Sequence, residues 1–238
     1  MELKDKTIIL TGGARIGTYV ADALDKKGAN LVLVYNKTKP DAKLSKEPLL
    51  VKADLSKEES MKDIVDQAVT KYGSVHGLIH MAASYERIPF DQLSSEDWDR
   101  NLNVIAKSTF LLSKAVAFEM VRNSEDLKGK IITISDWSVL NRPYKDYLAY
   151  NVAKTAVIGL TKSLARELAP AITVNNIAPG PIIMPPDLSE QDNAEVMSNT
   201  PLQRWGGGDE VAKAVIYLLE SDFVTGQVLF VDGGRPIA

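Results

Sequence analysis

The chain of 238 residues contains no cysteine and only two histidines, His76 and His80. Disulfides, thiolate nucleophiles and cysteine-based zinc or iron–sulfur sites are therefore excluded, and a histidine-rich metal centre has too few ligands. No metal is expected. No segment approaches the ~20 apolar residues that span a bilayer, and Met1–Lys6 lacks the apolar run of a secretory signal. No membrane partner is expected, and the cytoplasm is the expected compartment. A basic surplus is missing too. The formal net charge is −3, whereas nucleic-acid surfaces carry a positive excess, so nucleic acid is not an expected partner. What is present is 45% hydrophobic and 25% charged residues, enough for a sizeable core and too apolar for wholesale disorder.

Short apolar runs alternate with longer amphipathic stretches. Strands are predicted at Thr7–Leu10, Leu31–Val34, Leu49–Val51, Gly77–Met81, Lys130–Ile134, Thr173–Asn176 and Gln227–Val231. Helices are predicted from about Ile16 to Lys27, from a Ser56-Lys57-Glu58-Glu59 capping box to near Gly73, and from Ser94 through about Arg122. Two more are predicted from about Tyr147 to Leu168 and near Asp209–Glu220. Strands apolar throughout and joined by helices indicate a parallel sheet covered on both faces. With no repeat, linker or low-complexity tract, residues 1–238 read as one α/β domain.

The first strand runs into Thr11-Gly12-Gly13-Ala14-Arg15-Ile16-Gly17, and a helix follows. Glycines at such a turn let backbone approach a pyrophosphate, whose charge the helix N-terminus favours. The spacing is not G-x-G-x-x-G, so a plain tight turn is the alternative. After the second strand come Tyr35-Asn36-Lys37-Thr38, with no acid to bind a ribose 2′-hydroxyl. Arg15 and Lys37 would attract a 2′-phosphate, so NADPH is the preferred cofactor, with NAD the alternative. Asp54, after the third strand, is either a hydrogen-bond acceptor for an adenine amino group or a turn residue.

Tyr150 and Lys154 stand four apart in a predicted helix and share one face. A free phenol titrates near ~10, and a neighbouring cation favours its phenolate, which brings proton exchange closer to neutral pH. Alone the pair is as consistent with an exposed helix face as with an active site.

The pair does not stand alone. Thr11-Gly12, Asp54-Leu55, Tyr150-x-x-x-Lys154, Lys162–Leu168, Val174-Asn175-x-Ile177-x-Pro179-Gly180, Arg204-Trp205-Gly206, Thr225-Gly226-Gln227 and Asp232-Gly233-Gly234 occur in order. With these motifs the chain resembles a short-chain dehydrogenase/reductase over nearly its whole length. The resemblance implies a Rossmann-like, doubly wound domain with a seven-stranded parallel sheet and helices on both faces. It implies a homo-oligomer, a tetramer or dimer, acting on a small-molecule substrate. It also implies that Tyr150 exchanges the proton, that Lys154 also binds the nicotinamide ribose, and that backbone after Pro179-Gly180, at Ile182, meets the carboxamide. Gly12, Arg15, Ile16, Gly17, Asn36, Lys37, Thr38, Asp54, Leu55 and Ala82 complete the implied cofactor set.

The chain departs from the family pattern in four places. The glycine loop is one residue short, and Arg15 stands near the missing middle glycine, as a basic residue does in pteridine reductases. Asp136 occupies the place of the family's serine, again as in pteridine reductases; Ser135 and Ser138 are its rivals. A carboxylate there raises the tyrosine pKa and suits proton delivery better than oxidation. The family's helix-four asparagine falls on Ile105, and Asn103 replaces it only if the helix is locally distorted. His80-Met81-Ala82-Ala83 replaces Asn-Asn-Ala-Gly, with His80 read as structural, and Met184 replaces a threonine.

A substrate lid is expected over 182–203, with Met184 facing a wall of Trp137, Tyr144 and Tyr85. No arginine patch announces a strongly anionic substrate. The reading is an NADPH-dependent reductase of a C=O or C=N bond, similar to pteridine reductases. The alternatives are a 3-oxoacyl carrier-protein reductase, a sugar or alcohol dehydrogenase, and a non-catalytic NADP(H)-binding sensor or scaffold.

Overall fold

A computed structural model of the chain describes every residue except Ala42, Asp187 and Ala238. Seven parallel strands form one sheet: β1 (Thr7–Thr11), β2 (Asn30–Tyr35), β3 (Leu49–Lys52), β4 (Gly77–His80), β5 (Gly129–Ile134), β6 (Ile172–Pro179) and β7 (Val228–Val231). Their order is β3-β2-β1-β4-β5-β6-β7. The chain winds outward from β1 to β3, then returns to β1's other side with β4. That reversal opens a crevice beyond the C-terminal ends of β1 and β4, where such sheets hold ligands.

Alternation along the strands sends side chains to two cores. Ile8 and Leu10 of β1 join Ile132 and Ile177 under α1 (Ile16–Lys26) and α7 (Gly208–Glu220). Ile9 joins Val32, Leu78, Ile131 and Val174 under α2 (Glu59–Tyr72), α4 (Ser108–Met120) and α5 (Leu148–Leu168). Both faces are thus buried, which is why the strands carry apolar residues at successive positions. No helix among the described residues is long and apolar enough to cross a membrane.

Three local expectations change. Ser56 caps no helix: its hydroxyl donates to Asp54 Oδ1 (2.8 Å), and α2 starts at Glu59 without a side-chain cap. The short turn after β3 captures the serine before the helix can use it. The Ser94 helix is not uniform. It begins as α3 (Ser95–Asn101) with a Ser94–Asp97 capping box, passes through a π-helical stretch at Leu102–Lys107, and continues as α4. Finally, the 182–203 segment contains a helix, α6 (Glu190–Ser198), capped by Ser189 accepting from the Asp192 amide at 3.1 Å. The Ser-x-x-Asp spacing was its signal.

The turn after β1 is packed to backbone contact. Gly12 sits at φ +72°, and a Cβ on Gly17 would lie 2.3 Å from the Gly12 carbonyl oxygen. Gly159, exposed on α5, has nothing within 4 Å of such a Cβ. With α5 free of a partner copy, Gly159→Ala is expected to stabilise the protein by about 0.5–1 kcal/mol through helix propensity. Gly17→Ala is expected to destabilise it by about 1–3 kcal/mol, because overpacking outweighs the same gain. Urea unfolding of the two variants reads both signs.

Candidate active site

The loops that leave the C-terminal ends of β1, β4, β5 and β6 converge on the crevice. Thr11 Oγ1 accepts from the amides of Met81 and Ala82, both at 3.1 Å, and so ties the turn after β1 to that after β4. A Cβ on Gly12 would lie 3.0 Å from the Ala82 amide nitrogen. The first turn of α1 has neither a side-chain cap nor an acidic residue, which suits a bound pyrophosphate. Arg15 holds φ +52° at the mouth of α1, a conformation that glycine adopts more cheaply. Asn36, Lys37 and Thr38 follow β2 and are exposed. The glycine turn, the open helix N-terminus and this donor set fit a nicotinamide dinucleotide.

Some implied cofactor residues offer less than their motif. Asp54 Oδ1 is taken by the hydroxyl and amide of Ser56. Leu55 and Ile182 send their side chains into the two cores, so only their backbone can reach a ligand. Pro179 ends β6, and the Gly180 amide donates to the Val231 carbonyl at 2.9 Å.

At the other end of the crevice, the Tyr150 hydroxyl donates to Asp136 Oδ2 at 2.8 Å. Asp136 leaves the end of β5, and its Oδ1 accepts from the Ser138 amide at 2.9 Å, which orients the carboxylate. Lys154 lies one turn along α5 from Tyr150; its Nζ donates to the Ile134 carbonyl at 2.7 Å and sits 5.9 Å from the centroid of the Tyr150 ring. Tyr150 and Lys154 are both buried.

Burial decides the charge states. Lys154 is pushed down to about 8 by desolvation, which the Asp136 charge only partly opposes. Tyr150 is raised well above its ordinary value, first by burial, then by the Asp136 charge and by the hydrogen bond to it. The lowering expected from the neighbouring cation is therefore overruled. At neutral pH the resting pair is a neutral phenol and an ammonium.

Of the rivals of Asp136, Ser135 points elsewhere, whereas Ser138 stays beside Tyr144. Ser135 donates to Asn176 Oδ1, in a buried network where the Asn176 amide donates to Thr133 Oγ1 at 2.8 Å. The Thr133 and Thr161 hydroxyls share a hydrogen bond at 2.7 Å, with the Asn175 and Val157 carbonyls as their other acceptors. Ser138 is buried, and its hydroxyl lies against Tyr144 without a hydrogen bond of good geometry among the described residues. His80 is also buried and meets the hydroxyls of Ser108 and Thr109 at 3.1 and 3.4 Å. Burial, helped by the Lys154 charge, lowers its pKa to about 3, so it is neutral at physiological pH. Asn103 falls inside the π-helical stretch, and Ile105 is buried against Tyr150. The local distortion that Asn103 requires is thus present.

Aromatic rings surround Tyr150. Tyr85 meets it edge-on at 4.9 Å and stacks on Tyr147 at 4.6 Å. Trp137 Nε1 donates to the Tyr144 hydroxyl at 2.7 Å. Burial raises the pKa of Tyr85 and of Tyr144, so both stay neutral. Met184 lies nearly half exposed, at 47%. One expectation is corrected: arginines do gather here. Arg142 and Arg235, distant in sequence, line one cavity of about 130 Å³ with Trp137, Asn141, Asn199 and Pro236. Among the described residues no group of three His, Asp or Glu side chains could hold a metal ion.

Comparison with known proteins agrees with this architecture. The family model described as enoyl-(acyl carrier protein) reductase matches residues 13–235. The chain is 31% identical over 254 residues to glucose 1-dehydrogenase 2 of Bacillus subtilis, covering 99% of this chain and 96% of that protein. It is 31% identical over 245 residues to a 3-oxoacyl-[acyl-carrier-protein] reductase of Buchnera aphidicola, covering 98% of each. The solved structure of a blue fluorescent protein from a metagenomic library, in complex with NADPH, superposes with a TM-score of 0.86 at 26% identity and 99% coverage of both chains. With the switch-point crevice, the Tyr150–Lys154 pair and these matches together, the chain belongs to the short-chain dehydrogenase/reductase family of oxidoreductases.

Proposed function

We propose that the protein is an NADPH-dependent reductase of a C=O or C=N bond in a small molecule, close to pteridine reductases in its chemistry, with Tyr150 as the proton donor. The observation that carries this reading is the 2.8 Å hydrogen bond from Tyr150 to the Asp136 carboxylate. A carboxylate cannot polarise a substrate carbonyl by donation when ionised, but it keeps the phenol protonated and oriented. When bound, the dinucleotide supplies hydride. Gly12, Gly17, Ala82 and Gly180 would give it close backbone approach, Arg15 and Lys37 would meet its 2′-phosphate, and Lys154 its ribose. As Tyr150 gives up its proton, the Lys154 cation offsets the phenolate left beside Asp136. The 182–203 segment, α6 included, acts as the lid that keeps water from this exchange. Exposed Phe110, Phe118, Leu148 and Val152 on α4 and α5 support a homo-oligomer.

The names of two relatives favour a second reading, a 3-oxoacyl carrier-protein reductase or a sugar or alcohol dehydrogenase. NADPH oxidation is measured with 7,8-dihydrobiopterin from pH 4 to 8, beside a β-ketoester and a polyol screen. Turnover of the pterin is expected; its absence across that range removes the pterin reading. NADPH binding without turnover of any compound would leave a sensor or scaffold.

Tyr150→Phe is expected to lose roughly 10²–10⁴-fold in kcat, the usual worth of a positioned proton donor, while its Kd for NADPH changes little. Loss of binding instead would assign Tyr150 to the scaffold. The pH dependence follows from Lys154. Its ammonium persists below about 8 and is lost above it, so kcat for reduction is expected to fall as pH rises through that value.

A further inference from the structure

The cavity beside Trp137 is not used by the chemistry above. At about 130 Å³ it is well below the roughly 300–1,000 Å³ of a pocket enclosing a whole small ligand. It suits a head group whose body lies elsewhere. Among the described residues its lining includes two cations, Arg142 and Arg235, and no acid. The Arg235 guanidinium lies over the Trp137 ring, 4.7 Å from its centroid. Stacking occupies the face of the guanidinium and leaves its edge donors free. Among the described residues, the arginines that pair with carboxylates within 4.0 Å are Arg87, Arg100, Arg122 and Arg204, not these two.

The position of the cavity connects it to the reaction. Its floor, Trp137, follows Asp136 in the chain and donates to Tyr144, one of the rings around Tyr150. Asn199, on its rim, ends α6 in the lid segment. Two like charges on one cavity, with no carboxylate pair among the described residues, favour an anion between them, although the chain's net charge is −3. Guanidinium forks bind a carboxylate or phosphate through paired N–H···O bonds.

We propose that this cavity is an anion subsite, in which Arg142 and Arg235 hold a carboxylate or phosphate carried by the substrate. The substrate's reducible bond then lies at Tyr150, and this last point rests on the reductase reading.

Two measurements separate the subsite from that reading. The first needs no turnover: Trp137 emission is followed in a Trp98→Phe/Trp205→Phe background while glutarate or inorganic phosphate is added. A saturable change is expected, weakened about tenfold or more by Arg142→Gln and by Arg235→Gln. Saturation by glutarate alone assigns a carboxylate, and by phosphate alone a phosphate. No saturable change with either, or one that both substitutions leave intact, overturns the proposal. The second compares NADPH oxidation with 4-formylbenzoate and with its uncharged methyl ester. The ratio of kcat/KM, acid over ester, is expected to fall about tenfold in Arg235→Gln, whereas equal losses on both compounds overturn the proposal. If the unaltered enzyme reduces neither compound, aldehyde reduction fails and the emission titration alone decides the subsite.

Discussion

The hydrogen bond between Tyr150 and Asp136 constrains everything around it, because it places an anion within reach of a buried cation. Lys154 alone, buried as it is, would favour its neutral form. Asp136 alone would leave a carboxylate at the edge of the same low-dielectric site. Together they leave the local charge near zero, and the phenol between them keeps its proton. A serine at position 136 would supply a hydroxyl donor but no balancing charge. The exchange therefore changes the electrostatic character of the site and not only one contact.

Such an arrangement needs a scaffold that cannot relax. Asp136 is aimed by the Ser138 amide at the end of β5, and Lys154 is anchored to the carbonyl of Ile134, two residues earlier. Beneath them Ser135, Asn176, Thr133 and Thr161 form a buried chain of hydrogen bonds joining β5, β6 and α5. Buried polar networks of this kind rigidify when every member is satisfied. This one also holds the Ser135 hydroxyl on the side of Asn176, which leaves Asp136 to face Tyr150.

Much of this was legible in the sequence because it depends on local pattern. Seven apolar runs became seven strands, and the four-residue spacing of Tyr150 and Lys154 needed only a helix to bring them together. Other features were decided by tertiary contacts that no local pattern carries. Ser56 had a capping-box spacing, but Asp54 competed for its hydroxyl. The π-helical stretch at Leu102–Lys107 has no proline or glycine to announce it; it lies where Ile105 packs into the Tyr150 cluster. Arg142 and Arg235 look like scattered surface charges until a loop after β5 and the last turn of the chain meet over Trp137. The Tyr150 shift was legible in part. The sequence offered two opposed neighbours, a lowering Lys154 and a raising Asp136, whereas burial, the largest cause of the rise, exists only in the fold.

The same burial sets a cost on the site. A lysine whose pKa falls from 10.5 to about 8 on folding destabilises the folded state by on the order of 3 kcal/mol while it stays charged. The sign follows from proton counts: between about 8 and 10.5 the unfolded chain holds the extra proton, so stability rises with pH across that window, and below it the full cost is present. Kinetic and thermodynamic interests at Lys154 therefore oppose each other. The pH at which the cation serves the phenolate is the pH at which it most weakens the fold. Two densely buried cores around the sheet offset that deficit. Function in this chain is concentrated at the C-terminal ends of the strands and on α5, and is held in place by β1, β4, β5 and β6, whose side chains are almost wholly withdrawn from water.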